Sequence, residues 1–403
     1  MASRRLAWLA LILAVAALPC GCSSTARGPA TSLPEPGVPA KDNILSGVAC
    51  PSATVCIAVG HVGEGANQVG PDNRTLIEQN AGGGWQLVPS PNAPNEAGSE
   101  LFGVTCISAH DCIAVGRSDT SASTPTTLIE QDAGSGWAVV PSPNANAYGG
   151  IGSLSGVACA GAARCVAVGD YQSENAAFFQ TLIEENLGHG WNIVPSANSD
   201  PSEDNMLAAI ACPSSSFCIA VGSRGPHHNL PLVEQETGSG WTLVPVPGTG
   251  SLSGIACPTV NRCFATGGNF SASGETITEQ PLIEEMTDGR WSATEFSDQI
   301  GELGGVACPT VAYCMSVGGM YSFGLSTGSA LVVAELNGSA WKAGVTSDIG
   351  SQSDSFIGVA CTAVGRCVAV GKQHVGTRYP GADATFIAEH TSQGWAVVAS
   401  PNA

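Results

Sequence analysis

The sequence is poor in positive charge. Of 403 residues only 14 are Lys or Arg, against 33 Asp or Glu, for a net charge of −19. A surface of that sign repels a phosphate backbone, which argues against nucleic acid as a partner; it also keeps an exported protein soluble. Aromatic residues are only 6% of the chain, so large core side chains are few. Beyond residue 22 no apolar run is long enough to span a bilayer as a helix. There is no phosphate-binding glycine loop, nucleophile elbow or cluster of metal-ligand spacing. No cofactor and no metal are therefore expected.

What is present begins with an export signal, MASRRLAWLALILAVAALPCGC. Arg4 and Arg5 form a basic start, and Leu6 to Pro19 an apolar stretch too short to cross a membrane comfortably. Its end resembles a bacterial lipoprotein signal, in which a cysteine after a small residue is lipidated. Gly21-Cys22 fits that pattern, with Pro19 standing where leucine is usual. The resemblance implies a leader over residues 1–21, lipidation at Cys22, and membrane contact only through that lipid. Lipidation at Cys20, or simple cleavage and secretion, are the other outcomes of such a leader. Residues 22–43 are rich in Ser, Pro, Ala and Gly and read as a flexible tether.

The remaining chain, residues 44–403, is repetitive. LSGVACPSATVCIAVG at 45–60 returns as LFGVTCISAHDCIAVG (101–116), LSGVACAGAARCVAVG (154–169) and LAAIACPSSSFCIAVG (207–222). It returns again as LSGIACPTVNRCFATG (252–267), LGGVACPTVAYCMSVG (303–318) and FIGVACTAVGRCVAVG (356–371). Seven copies hold 14 of the 16 cysteines at one fixed spacing. A second phrase follows each, as in TLIEQNAGGGWQLVPSPN (75–92), and always keeps its tryptophan: Trp85, Trp137, Trp191, Trp241, Trp291, Trp341 and Trp395. Between first cysteines the period is 45 to 56 residues.

Seven units of this length mark a repeat fold. Short apolar and β-branched runs (GVAC, CIAVG, TLIE, WQLV) bounded by Pro, Ser, Gly and Asn predict four strands per unit. The fold class is therefore all-β: a seven-bladed β-propeller with four antiparallel strands per blade. Expected blades are 44–100, 101–153, 154–206, 207–251, 252–302, 303–355 and 356–403. Small residues in the first strand place it at the crowded axis. The tryptophan strand is then outermost, its indole covering the gap to a neighbouring blade. Runs that are apolar on both faces fit sheets sandwiched between other sheets. WSATEF and WKAGVT, in blades 5 and 6, depart from the repeat, and that side is expected to be less stable or covered by a partner.

Each cysteine pair ends one strand and begins the next, across a tight turn. Residues facing across such a hairpin lie close to disulfide distance, and an exported chain meets an oxidising compartment. One disulfide per blade is predicted: Cys50–Cys56, Cys106–Cys112, Cys159–Cys165, Cys212–Cys218, Cys257–Cys263, Cys308–Cys314 and Cys361–Cys367. Metal binding would need CxxC spacing or interleaved histidines, and neither occurs.

The turn before each tryptophan (NAGGG, DAGSG, NLGHG) is similar in place, and in its Gly and Trp, to the Asp-box turn of sialidase-like propellers, though serine and aspartate are mostly missing. The paired phrases resemble those of secreted actinobacterial repeat proteins with C-x5-C-x-AVG and GxxW-x-x-VPSPN motifs, over nearly the whole mature chain. That resemblance implies a propeller and names no activity.

The short constant turns share one face, and the linkers after CIAVG and VPSPN, which vary, share the other. Variable loops on a rigid scaffold are the natural place for binding. The polar residues leaving the second strand on that face are the candidate ligand-binding set: His61, Arg117, Asp170 with Tyr171, Arg224 with His227 and His228, and Lys372 with His374. Arg74, Arg117, Arg224 and Arg378 invite comparison with the carboxylate-binding arginines of sialidases, but they occupy unmatched loop positions. Arg164, Arg262 and Arg366 precede cysteines on the opposite face. The glutamate repeated at 78, 130, 184, 234 and 284 reads as structural, because a catalytic pair needs two carboxylates in unlike environments. The reading that follows is a surface-tethered or secreted, non-catalytic monomer binding an envelope protein or glycan through its variable face. A glycan-active hydrolase and a structural envelope protein are the alternatives.

Overall fold

Alternating residues of each second strand face opposite neighbours, and this builds the ring. In blade 1 the strands are β1 (Asp42–Ser52), β2 (Val55–Gly63), β3 (Arg74–Asn80) and β4 (Trp85–Val88), paired antiparallel in chain order. On β2, Cys56 and Ala58 pack with Val370 and Ile387 of blade 7, while Ile57 and Val59 pack with Leu101 and Leu128 of blade 2. The same division recurs between the other blades. It explains why CIAV is apolar without alternation: both faces of the strand are interior.

This computed structural model describes residues 41–402 except 64–72, 93–97, 120–123, 145–149, 175, 227, 274–275, 297–300, 320–330, 347–348, 350–353 and 376–381, and except the side chains of 270–278 and 295. The expected leader, Cys22 and most of the expected tether lie outside the described residues. Seven four-stranded sheets follow one another, each with its strands in sequence order. First strands are innermost and together line a central channel of 170 Å³. They begin one to three residues ahead of the expected blade boundaries, at Asp42, Gly98, Ile151, Asn205, Ser251, Glu302 and Ser355. Asp42 and a fully buried Asn43, which the sequence placed in the tether, belong to β1.

Every inner strand carries a β-bulge. In β1 the register with β2 jumps between Leu45 and Gly47, leaving Ser46 unpaired. The corresponding skipped residues are Phe102, Ser155, Ala208, Ser253, Gly304 and Ile357. Beside each bulge the two strands touch. A Cβ on Gly60 would lie 1.9 Å from the Ile44 carbonyl oxygen, and the six equivalent glycines show 1.9 or 2.0 Å. Only glycine fits there, which accounts for the glycine ending CIAVG.

All seven cysteine pairs are bonded, with Cα atoms 4.0–4.2 Å apart. They bridge the ends of the two inner strands, so the fold and the seven cross-links stand as expected. The tryptophans pack on the cluster shared with the preceding blade, as Trp191 does beside Ile113 and Leu154.

In blades 5 and 6, where the phrases depart from the repeat, the outer strands are not shortened. Their outer strands, Arg290–Glu295 and Ala340–Thr346, are longer than the four-residue outer strands of blades 1 to 4. Pro89, Pro141, Pro195 and Pro245 end those shorter strands, because proline has no N–H to give the ladder. Glu295 and Val345 stand at that position in blades 5 and 6, and the ladder runs on.

Candidate functional site

One position past each CIAVG glycine differs in every blade except 5 and 6. Around the ring it is His61, Arg117, Asp170, Ser223, Gly268, Gly319 and Lys372. Facing them on the inner strands are Ile44, Glu100, Ser153, Met206, Ser251, Glu302 and Ser355. By the two-residue period these second-strand side chains share the direction of Ile57 and Val59, over the groove toward the next blade. Blades 7, 1, 2 and 3 therefore present a charged arc, and blades 4, 5 and 6 a small-residue arc.

The charged arc is tightly wired. Arg117 Nη2 and Nε lie 2.9 and 3.0 Å from Glu100 Oε2, while Asn73 Nδ2 donates to Glu100 Oε1 at 2.6 Å. The guanidinium also sits 5.6 Å from the centre of the bulged Phe102 ring. His61 is enclosed: burial holds its imidazole below the ordinary value, with Glu100 and Asp42 pulling up and Arg117 and Lys372 pulling down. On the other flank Lys372 Nζ is 2.9 Å from Asp383 Oδ2 and His374 Nδ1 is 3.1 Å from Asp383 Oδ1. The Asp383 N–H in turn donates to Asp42 Oδ1 at 2.7 Å, joining blade 7 to blade 1. Asp170 is buried, and desolvation pushes its carboxyl up to about 7, against the pull of Arg117 and with a small addition from Asp204.

In the small-residue arc the channel opens into a cavity of 360 Å³. All seven bulged residues reach its wall, joined by Glu302, Gly318, Gly319 and Phe356. The bulge thus turns one residue per blade toward the axis, and glycines at 318 and 319 leave the space on one side.

Of the sequence-selected residues, His61, Arg117, Asp170 and Lys372 occupy equivalent places in this ring. Tyr171 does not join them: it packs on the apolar cluster between blades 2 and 3, as the next residue on a pleated strand must. Arg224 ends its strand half-buried, opposite Asn205. His227 lies outside the described residues, as does Arg378; His228 Nε2 is 3.9 Å from Asp204 Oδ2. Arg74 donates to the Asn73 carbonyl at 2.8 Å. Among the described residues no group of three or more His, Cys, Asp or Glu is arranged to hold a metal ion. The partners Glu100, Asn73, Asp42, Asp383 and Glu302 escaped sequence reading because they sit at strand ends outside the repeated phrases. An acidic residue just before LFGV and LGGV was the available signal.

The repeated glutamates are clamps between blades. Glu78, Glu130, Glu184, Glu234 and Glu284 are fully buried. Each of the first four receives a serine hydroxyl from the preceding blade: Ser400, Ser90, Ser142 and Ser196, at 2.8 to 3.0 Å. Glu284 instead accepts the Gly248 N–H at 2.6 Å. Burial pushes Glu78, Glu130 and Glu184 up to about 7. On the opposite face Arg164 staples blade 3 to blade 4 through Glu185, the Ser215 carbonyl and Glu236, each at 2.6 Å.

These features define the class: a seven-bladed propeller whose scaffold repeats and whose one open face does not. No protein-family model and no curated protein sequence matches the chain. Solved structures do. An ancestral GH74 enzyme matches with a TM-score of 0.52 at 12% identity, over 87% of this chain and 50% of that one, so this chain spans half its length. A protein of unknown function from Dyadobacter fermentans DSM 18053 matches at 0.51 and 10% identity, over 86% and 93% of the two chains. YCF48 from Cyanidioschyzon merolae matches at 0.49 and 12%, over 88% and 98%. At these identities the likeness is one of fold.

Proposed function

We propose that this is an extracytoplasmic binding propeller that recognises a protein or glycan at the channel mouth and catalyses no reaction. One observation carries the reading: at seven equivalent ring positions the scaffold repeats while the side chains do not. A purely structural ring has no need of that divergence, whereas a ligand without seven-fold symmetry does. Seven disulfides fit an oxidising compartment, and lipidation at Cys22 would tether the ring to a membrane surface through residues 23–41.

The hydrolase reading is weaker on the same page. Five of the carboxylates that drew attention are spent as clamps between blades, and Asp170 has no second carboxyl at a ring position beside it. The test is a glycan array and an envelope-protein capture, both with the oxidised chain 23–403. Selective binding should be lost in Arg117→Ala combined with Lys372→Ala, and kept in Gln86→Ala on an outer strand. Binding that ignores the ring variants would overturn the reading, and a mass change in a bound glycan would replace it with hydrolysis.

A further inference from the structure

We infer that the cavity at the channel mouth takes the guanidinium or ammonium group of a basic peptide side chain, with Glu302 as its counter-ion. This rests on the binding reading above and names the ligand chemistry of that site.

Blades 2 and 6 start from the same arrangement. Each has a glutamate on its inner strand facing the ring position: Glu100 faces Arg117, and Glu302 faces Gly319. In blade 2 the glutamate is saturated by the Arg117 guanidinium and the Asn73 amide. In blade 6 it accepts a single hydrogen bond, from Ser253 Oγ at 2.8 Å, and has no cationic partner among the described residues. Where blade 2 places its arginine, blade 6 has no side chain at all, and the 360 Å³ cavity opens against Gly318, Gly319 and Glu302.

Among the described residues no cation of the chain itself reaches this place. From Tyr313 to Thr346 the sequence holds one basic residue, Lys342, and that is on the outer strand. The nearby ring cation of blade 7, Lys372, is held by Asp383. Glu302 lies over Gly268, where a Cβ would meet its Cγ at 3.2 Å, so the carboxylate is not covered by a side chain from that position. Negative potential collects there, within a chain of net charge −19, and attracts a cation.

Blade 2 also shows what such a position accommodates: a planar fork donating to carboxylate beside an aromatic ring. The cavity is far larger than a single ion and falls at the lower end of small-ligand pockets, which run from about 300 to 1,000 Å³. Phe102 and Phe356 in its wall give the aliphatic stem of a lysine or arginine an apolar surface.

The test uses the oxidised chain 23–403 and two probes, the blocked peptide Ac-Gly-Arg-Gly-NH2 and its citrulline counterpart, which keeps the shape and removes the charge. Calorimetric titration should show saturable binding of the arginine peptide, weakened about tenfold or more by citrulline and by Glu302→Gln. In amide NMR spectra of the unaltered protein, the arginine peptide should shift Ser253, Gly318 and Gly319, which needs no variant to fold. Equal binding of both peptides, indifference to Glu302→Gln, or shifts confined to Arg117 and Lys372 would overturn the inference. A ligand captured on the charged arc that ignores Glu302→Gln would overturn it while leaving the binding reading intact. Absence of any saturable ligand on this face would remove both.

Discussion

The Ser400 hydroxyl sits between the two carboxyl oxygens of Glu78, 2.9 and 2.8 Å away, across 322 residues of sequence. It is the contact by which the last blade closes on the first. No strand is exchanged between the ends, since blades 1 and 7 each draw four consecutive strands. Closure therefore rests on this clamp, the apolar cluster joining Val370 and Ile387 to Leu45 and Leu76, and the Asp383–Asp42 bond. Ser400→Ala leaves a fully buried carboxyl short of a donor and should cost about 1–3 kcal/mol in denaturant unfolding. Ser142→Ala removes the same contact between blades 2 and 3 and should cost a similar amount. A loss under about 0.5 kcal/mol at Ser400 would show that the ring does not depend on its clasp.

Acid should stabilise this protein. Glu78, Glu130 and Glu184 have folded values of about 7, raised from 4.5 by burial. The folded state thus binds protons that the unfolded chain has released. The stability they contribute is complete below about pH 4.5 and is lost as pH rises through about 7. Within that window each group contributes about 1.4 kcal/mol per pH unit. The thermal midpoint should rise on going from pH 8 to pH 5, and Glu→Gln at all three positions should flatten that rise. A midpoint that falls over the same range would contradict the burial argument.

Much of the ring was written in the repeat itself. Strand number, blade number and disulfide pairing follow from a fixed phrase recurring seven times, because each blade solves the same packing problem. What the phrase conceals is whatever lies just outside it. Glu100 and Glu302 precede the repeated LxG by a single residue, and become ring-facing only because the inner strands start early. The bulge was equally hidden: nothing in SGV or FGV announces that Ser46 or Phe102 leaves the ladder, and that choice points both toward the axis. Tyr171 was misjudged because adjacency in sequence was taken as adjacency in the site, whereas successive strand residues face opposite ways. In blades 5 and 6, loss of the usual phrase was taken to weaken that side, whereas the outer strands there run longer than in blades 1 to 4.

The disulfides should matter in number more than singly. Each closes a loop with a sequence separation of 6, for which chain entropy gives about 2 kcal/mol. Removing one, with Cys308→Ala and Cys314→Ala together, should lower stability by about that amount and leave a folded ring. Reducing all seven should unfold or greatly loosen it, since few large residues support the core. Near-ultraviolet circular dichroism of the seven packed tryptophans reports either outcome. A reduced protein with an unchanged spectrum and melting point would mean that blade packing alone holds the ring.

The strongest test of how blades are joined lies between blades 5 and 6. At four interfaces a serine five residues after the tryptophan meets a buried glutamate of the next blade, as Ser90 meets Glu130. Here both members have changed together: Phe296 stands in the serine's place and Ala334 in the glutamate's, and Phe296 packs on the cluster of Ile283, Leu303, Val332 and Ala334. A polar clamp has been exchanged for an apolar one at the same position. Ala334→Glu alone buries a carboxyl against a phenyl ring and should cost about 2–4 kcal/mol. Phe296→Ser alone strips packing from the cluster and should cost about 2 kcal/mol. Made together they rebuild the clamp used elsewhere, so the pair should cost less than the two losses added, with a coupling of about 1–2 kcal/mol in a double-mutant cycle. Strict additivity would mean that the two kinds of clamp are not interchangeable, and that each interface needs its whole neighbourhood to change with it.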